Sequence, residues 1–128
     1  MKETLPQRTP ERDLRKRTKQ FALRVIKLVE GLPKTQTARV IGNQLLRSST
    51  SVPANYRASC RARSNAEFRA KLGIVEEETD ESVFWIEMLV DAHLVKASRV
   101  EGLMDEGNQL TAIWVASINT ARGGKRRT

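Results

Sequence analysis

Apolar and small residues recur at alternating spacings of three and four along four stretches of the chain. That is the period of a helix burying one face. Between Pro10 and Gly31 the stripe runs Leu14, Thr18, Phe21, Val25, Leu28 and Leu32, with Arg12, Arg15, Lys16, Lys19 and Lys27 mostly on other faces. Thr9 is the expected cap, with Pro10 at the first helical position, and Gly31 and Pro33 punctuate the end. A second stripe starts near Thr35 or Thr37 and reads Ala38, Ile41, Leu45, Ser48, Val52, Asn55 and Ser59. Pro53 lies within it. It removes one backbone donor and disfavours helix at Val52, so a kink or short break is expected there.

The third stripe opens on Ser64 and Glu67, spaced as a capping box. Phe68, Leu72, Val75, Thr79, Ser82, Ile86 and Leu89 follow, and Val83, Trp85, Met88 and Val90 widen the apolar arc. An arc this wide predicts a second buried surface, in the core or against another protomer. Ser98 and Glu101 are spaced as another box, ahead of Val100, Leu103, Met104, Gly107, Leu110, Trp114, Ser117, Ile118 and Ala121. Gly123-Gly124 is the expected stop, before a basic tail of Lys125, Arg126 and Arg127. Four helices with short connections predict an all-α, up-and-down antiparallel four-helix bundle with a proline kink in the second helix. The expected domain is single and spans 1–128, with flexible basic ends at about 1–10 and 122–128.

Composition bears on partners. The chain has 128 residues, 39% hydrophobic and 30% charged, with a net charge of +8 and a pI near 10.3. A balance this basic points first to nucleic acid, then to acidic proteins and anionic headgroups. No apolar run reaches the roughly 20 residues a bilayer needs. The basic N-terminus leads into FALRVIKLVEGL, interrupted by Arg24 and Lys27, so no signal peptide is expected. The single cysteine, Cys60, allows no intrachain disulfide and fits a reducing, cytoplasmic setting.

Catalytic and metal chemistry find little to work with. A di-iron bundle needs two Glu-x-x-His motifs, yet the one histidine, His93, has Val90 three residues before it. One Cys and one His cannot fill a zinc shell, and no cofactor is expected. His93 falls near the end of the third helix, where its charged form suits the dipole. No nucleophile elbow or glycine-rich phosphate loop is present. Glu76, Glu77, Glu78, Asp80 and Glu81 crowd one helix and leave acid–base chemistry formally open, against the simpler reading of a solvated acidic face. The chain is expected not to be an enzyme, and no small-molecule substrate is evident.

Two constellations remain. Ser48 and Asn55 are expected to point inward, and a polar network of Arg47, Ser51, Asn55, Glu77, Asp80 and Glu81 would satisfy that region and set register. Basic residues cluster in the N-terminal segment, including Arg15 and Lys19, and around the second connection, at Arg57, Arg61, Arg63, Arg69 and Lys71. Arginines on a loop and two helix ends can cradle phosphates. Aromatics are only 5%, which disfavours base stacking, so binding through the backbone is the expected form.

The run Arg47-Ser48-Ser49-Thr50-Ser51-Val52-Pro53-Ala54-Asn55-Tyr56, then Arg61-Ala62-Arg63-Ser64 and Glu67-Phe68, resembles the bacterial four-helix-bundle family named for proteins encoded in intervening sequences of 23S ribosomal RNA genes. Lys71-Leu72-Gly73-Ile74, Glu77-Glu78-Thr79-Asp80-Glu81-Ser82 and Trp85-Ile86-Glu87-Met88-Leu89 extend the likeness, which covers about Phe21 to Ala121. It also resembles the accessory proteins of diversity-generating retroelements. The resemblance implies an up-and-down bundle assembled as a homopentamer, with RNA or DNA and a reverse transcriptase among its partners. Arg47, Ser51, Pro53, Asn55, Arg63, Asp80, Glu81, Trp85 and Glu87 are the matching positions. Where many relatives carry glycine and acidic residues after the Asn element, this chain has Arg57-Ala58-Ser59-Cys60-Arg61. The expected function is a non-catalytic oligomeric scaffold that binds nucleic acid through a basic surface; the alternative is a protein–protein interaction module without nucleic acid.

Overall fold

The computed structural model describes residues 10–127. The expected cap Thr9, and residues 1–9 of the expected flexible end, lie outside the described residues. Four helices follow one another: α1 (Pro10–Glu30), α2 (Gln36–Cys60), α3 (Asn65–Asp91) and α4 (Ala97–Arg127). The short connections turn each helix back along the last. α2 packs against α1 and α3, α3 against α4, and α4 closes more sparingly on α1. The result is an all-α, up-and-down four-helix bundle.

The stripes read from the sequence form its interior. Leu14, Phe21 and Val25 of α1, Ile41, Leu45 and Val52 of α2, Leu72, Val75, Ile86 and Leu89 of α3, and Val100, Leu103, Leu110 and Trp114 of α4 join one core. Trp114 is fully buried, stacked at 5.1 Å on the ring of Tyr56. Its indole N–H donates to Thr79 Oγ1 at 2.9 Å, and the Thr79 hydroxyl donates to the Val75 carbonyl at 2.7 Å. Ser82 Oγ reaches Ser48 Oγ at 2.9 Å across the α2–α3 seam. The fully buried stripe positions Ser48, Thr79 and Ser82 are thus bonded, as buried polar groups must be.

Helix ends agree with local chemistry in some places and depart from it in others. Thr35 caps α2, accepting from the Ala38 amide. Ser64 caps α3, accepting from the Glu67 amide at 3.0 Å, while Glu67 reaches back one residue further than a standard box, to the Arg63 amide. Ser98 lies inside the first turn of α4, which begins at Ala97, so the second box does not start the helix. α2 runs unbroken through Pro53. α4 continues through Gly123 and Gly124 to Arg127, not stopping at the pair. A glycine stop needs a left-handed residue, and no described glycine has positive φ. That conformation falls instead to His93, at φ 60°, just past α3. There the His93 amide bonds the Val90 carbonyl and the Leu94 amide bonds the Leu89 carbonyl, a Schellman closure.

At Gly107, α4 packs closely against its neighbours. A Cβ there would stand 2.6 Å from Val83 Cγ2 and 3.4 Å from Phe21 Cε1. Gly107→Ala gains about 1 kcal/mol of helix propensity but forces a stiff valine to move, at about 1–3 kcal/mol. Urea unfolding is expected to show a net loss of about 1 kcal/mol, relieved when Val83→Ala is added. A stabilised Gly107→Ala protein contradicts this packing.

Candidate nucleic-acid interface

α1 turns its apolar stripe inward, and the residues between stripe positions carry cations outward. Arg15 and Lys19 are one helical turn apart on α1; Arg57 is in the last turn of α2, and Arg61 caps its end. Because α1 and α2 run antiparallel, the first half of one lies beside the last half of the other. Arg15, Lys16, Lys19, Arg57 and Arg61 therefore line a single groove of about 550 Å³, with Pro53 beside them. Lys16, Lys19, Arg57 and Arg61 are exposed and Arg15 is half-buried. Glu11 pairs with Arg15 Nη2 at 3.3 Å, whereas Arg15 Nε is buried with no acceptor among the described residues. Five cations thus share one depression, and no carboxylate is among its lining residues.

The other predicted cations stand elsewhere. Arg63 is 91% exposed in the α2–α3 connection, 3.9 Å from Glu67. Arg69 bonds Asn65 Oδ1 at 2.8 Å and lines a separate depression between α3 and α4 with Arg122, Glu76 and Glu77. Lys71 is half-buried on α3. Arg69 is near Arg61 in sequence, but the chain reverses between them. Lys16, between Arg15 and Lys19 in the same basic segment, joins the groove.

The expected polar network divides into two parts. Arg47 bonds Glu81 and Glu78 across the α2–α3 seam, the latter at 3.4 Å, and Trp85 Nε1 donates to Glu81 at 3.0 Å. Asn55 instead bonds Ser51, through its carbonyl at 2.9 Å and its hydroxyl at 2.8 Å. Asn55 is half-buried, and Tyr56 takes the interior position beside it. Glu77 lines the α3–α4 depression, and Asp80 is exposed. The acidic residues of α3 are therefore spread over several of its faces. Among the described residues, no group of three His, Cys, Asp or Glu side chains is placed to hold a metal, and no helix is long and apolar enough to cross a membrane.

The Trp85 indole and then the Arg47 guanidinium hold the Glu81 carboxyl below the ordinary carboxylate range. A folded pKa below the unfolded one gives stability that is present above the unfolded value and lost as pH falls through the folded value. Glu81→Gln is expected to lose less melting temperature than the parent between neutral pH and about pH 3. Equal losses in thermal melts would show that this carboxylate does not contribute to acid sensitivity. On the opposite seam, Arg17 clasps Glu106 with two bonds of 2.9 and 2.8 Å, tying α1 to α4. That clasp raises the Arg17 pKa and takes this arginine away from the groove.

Comparison with known proteins agrees with this architecture. Over 85% of its length the chain is similar to a crystal structure of a protein of unknown function from the S23 ribosomal protein family of Bacteroides thetaiotaomicron, with a TM-score of 0.79 and 28% identity, covering 97% of that chain. No curated protein matches the chain at a significant level. Residues 11–116 match the family described as 23S rRNA-intervening sequence protein, a span holding all of α2 and α3 and most of α1 and α4. The chain belongs to the 23S rRNA-intervening sequence protein family.

Proposed function

We propose that this protein is a non-catalytic, single-domain scaffold that binds RNA or DNA through phosphates in the α1–α2 groove. The observation that carries the reading is the convergence of Arg15, Lys16, Lys19, Arg57 and Arg61 on one depression with no carboxylate in its lining. Like charges repel, and a polyanion relieves that repulsion while releasing counterions. No aromatic residue is among those lining the groove, so contact is with the backbone and carries little sequence preference. Arg63, Arg69 and Lys71, outside the groove, contribute long-range attraction. The likeness to retroelement accessory proteins supports assembly into a homopentamer, in which a ring of basic bundles would multiply the contacts a polyanion meets, and the single cysteine supports work in a reducing cytoplasm. The spread of α3 carboxylates over different faces supports the non-catalytic role.

One observation favours a second reading, a protein-interaction module. Ile74 and Phe84 are 43% and 47% exposed on α3, near Glu77, Asp80 and the edge-on ring of Trp85. The two readings separate in a pulldown with the full chain as bait. The nucleic-acid reading expects captured RNA or DNA that is released by nuclease or high salt. A specific protein that survives both treatments, with no nucleic acid recovered at low salt, would favour the second.

A further inference from the structure

We infer that the α1–α2 groove is a slot for a short run of phosphates, gripped from both walls, so that a compact polyphosphate fills it as well as a nucleic-acid strand does. This rests on the groove being a phosphate site but not on nucleic acid being the source. Each wall presents cations four residues apart, Arg15 and Lys19 on α1, and Arg57 on α2 with Arg61 capping its end. One turn of four residues advances about 6 Å along a helix axis. That is close to the separation of neighbouring phosphates along a strand, and of the terminal phosphates of tripolyphosphate. A ligand lying along the groove therefore meets cations from both helices. Guanidinium forks suit phosphate oxygens, and arginines from both sides of the helix pair line the groove.

Size and lining limit what enters. A volume of about 550 Å³ holds a few phosphates, and the one uncharged lining residue is Pro53, which offers no backbone N–H. No aromatic ring is among the lining residues to stack on a base. Arg15 supplies a donor that is still unspent. Its Nη2 faces Glu11, while Nε has no acceptor among the described residues, and a turn of the guanidinium toward a bound phosphate would give it one. A ligand held in this way joins the first half of α1 to the last half of α2. Phosphate binding should thus appear as stability, independent of any polymer.

The test is thermal unfolding of the full chain in sodium tripolyphosphate against sodium chloride and sodium sulfate at matched ionic strength. At about a hundredfold excess over Kd, the melting temperature is expected to rise about 5–10 °C over both controls. Arg15→Gln with Arg57→Gln should abolish the rise, and Arg69→Gln with Arg122→Gln should leave it. In parallel, tripolyphosphate is expected to displace a short labelled RNA at constant ionic strength. No rise beyond the controls overturns the slot, and so does a rise that survives Arg15→Gln with Arg57→Gln. RNA that binds but is not displaced also overturns the slot, while leaving nucleic-acid binding intact. A rise without any RNA binding keeps the slot, assigns it to free polyphosphate, and removes the nucleic-acid reading.

Discussion

Trp114→Ala is expected to cost about 4 kcal/mol of folding free energy, a large share of the total stability of a domain this size. The indole is fully buried where α4 meets α2 and α3, so truncation leaves a cavity lined by Tyr56 and Thr79. Three losses coincide: the ring's apolar surface, its stacking on Tyr56, and its N–H bond to Thr79. The Thr79 hydroxyl keeps its bond to the Val75 carbonyl, so no group is left wholly without a partner, and this keeps the cost near 4 kcal/mol. Trp114→Phe separates the contributions. It retains most of the volume and loses the N–H bond, for an expected cost of about 1–2 kcal/mol. Urea unfolding followed by circular dichroism measures both variants. If Trp114→Ala loses under 1 kcal/mol, the bundle core is not centred on this residue.

Reversing Arg15, Lys19, Arg57 and Arg61 to Glu is expected to lower RNA affinity about a thousandfold at low salt. Each exposed cation that grips a phosphate contributes on the order of 1 kcal/mol, and four together give about 4 kcal/mol. Reversal also adds repulsion along the groove. The informative control applies the same change to Arg39, Arg69, Lys71 and Arg122. Both variants go from +8 to neutral, so any difference between them reports position, not net charge. The control is expected to lose less than tenfold, with both helical spectra unchanged. Equal losses would mean that binding follows overall charge and that the groove has no special part in it.

Much of the fold is legible in the sequence because burial follows a simple period. The three-four alternation places Phe21, Leu45, Val75, Ile86 and Trp114 inward, and the structure buries all five. Departures occur where two local choices are nearly equal. Asn55 and Tyr56 are adjacent at the edge of the buried arc, and the ring with more apolar surface takes the interior. Gly123-Gly124 resembles a stop, yet glycine only weakens a helix unless the chain also turns left-handed. His93 makes that turn after α3, which no period reveals. The candidate site was legible as a list of basic residues but not as a groove. Arg15 and Arg57 are far apart in sequence, and only the antiparallel register of α1 and α2 brings them together. By the same geometry, Arg61 and Arg69, close in sequence, face different seams because the chain reverses at Ser64.

Fluorescence anisotropy of a labelled structured RNA across a salt series shows whether this groove binds nucleic-acid phosphates. Five groove cations predict a log–log slope of about −3 to −5 per protomer, as each neutralised phosphate releases its counterion. The Arg15, Lys19, Arg57, Arg61 reversal should flatten that slope. No binding at the lowest salt, or a slope unchanged by the reversal, would show that the groove does not hold nucleic-acid phosphates.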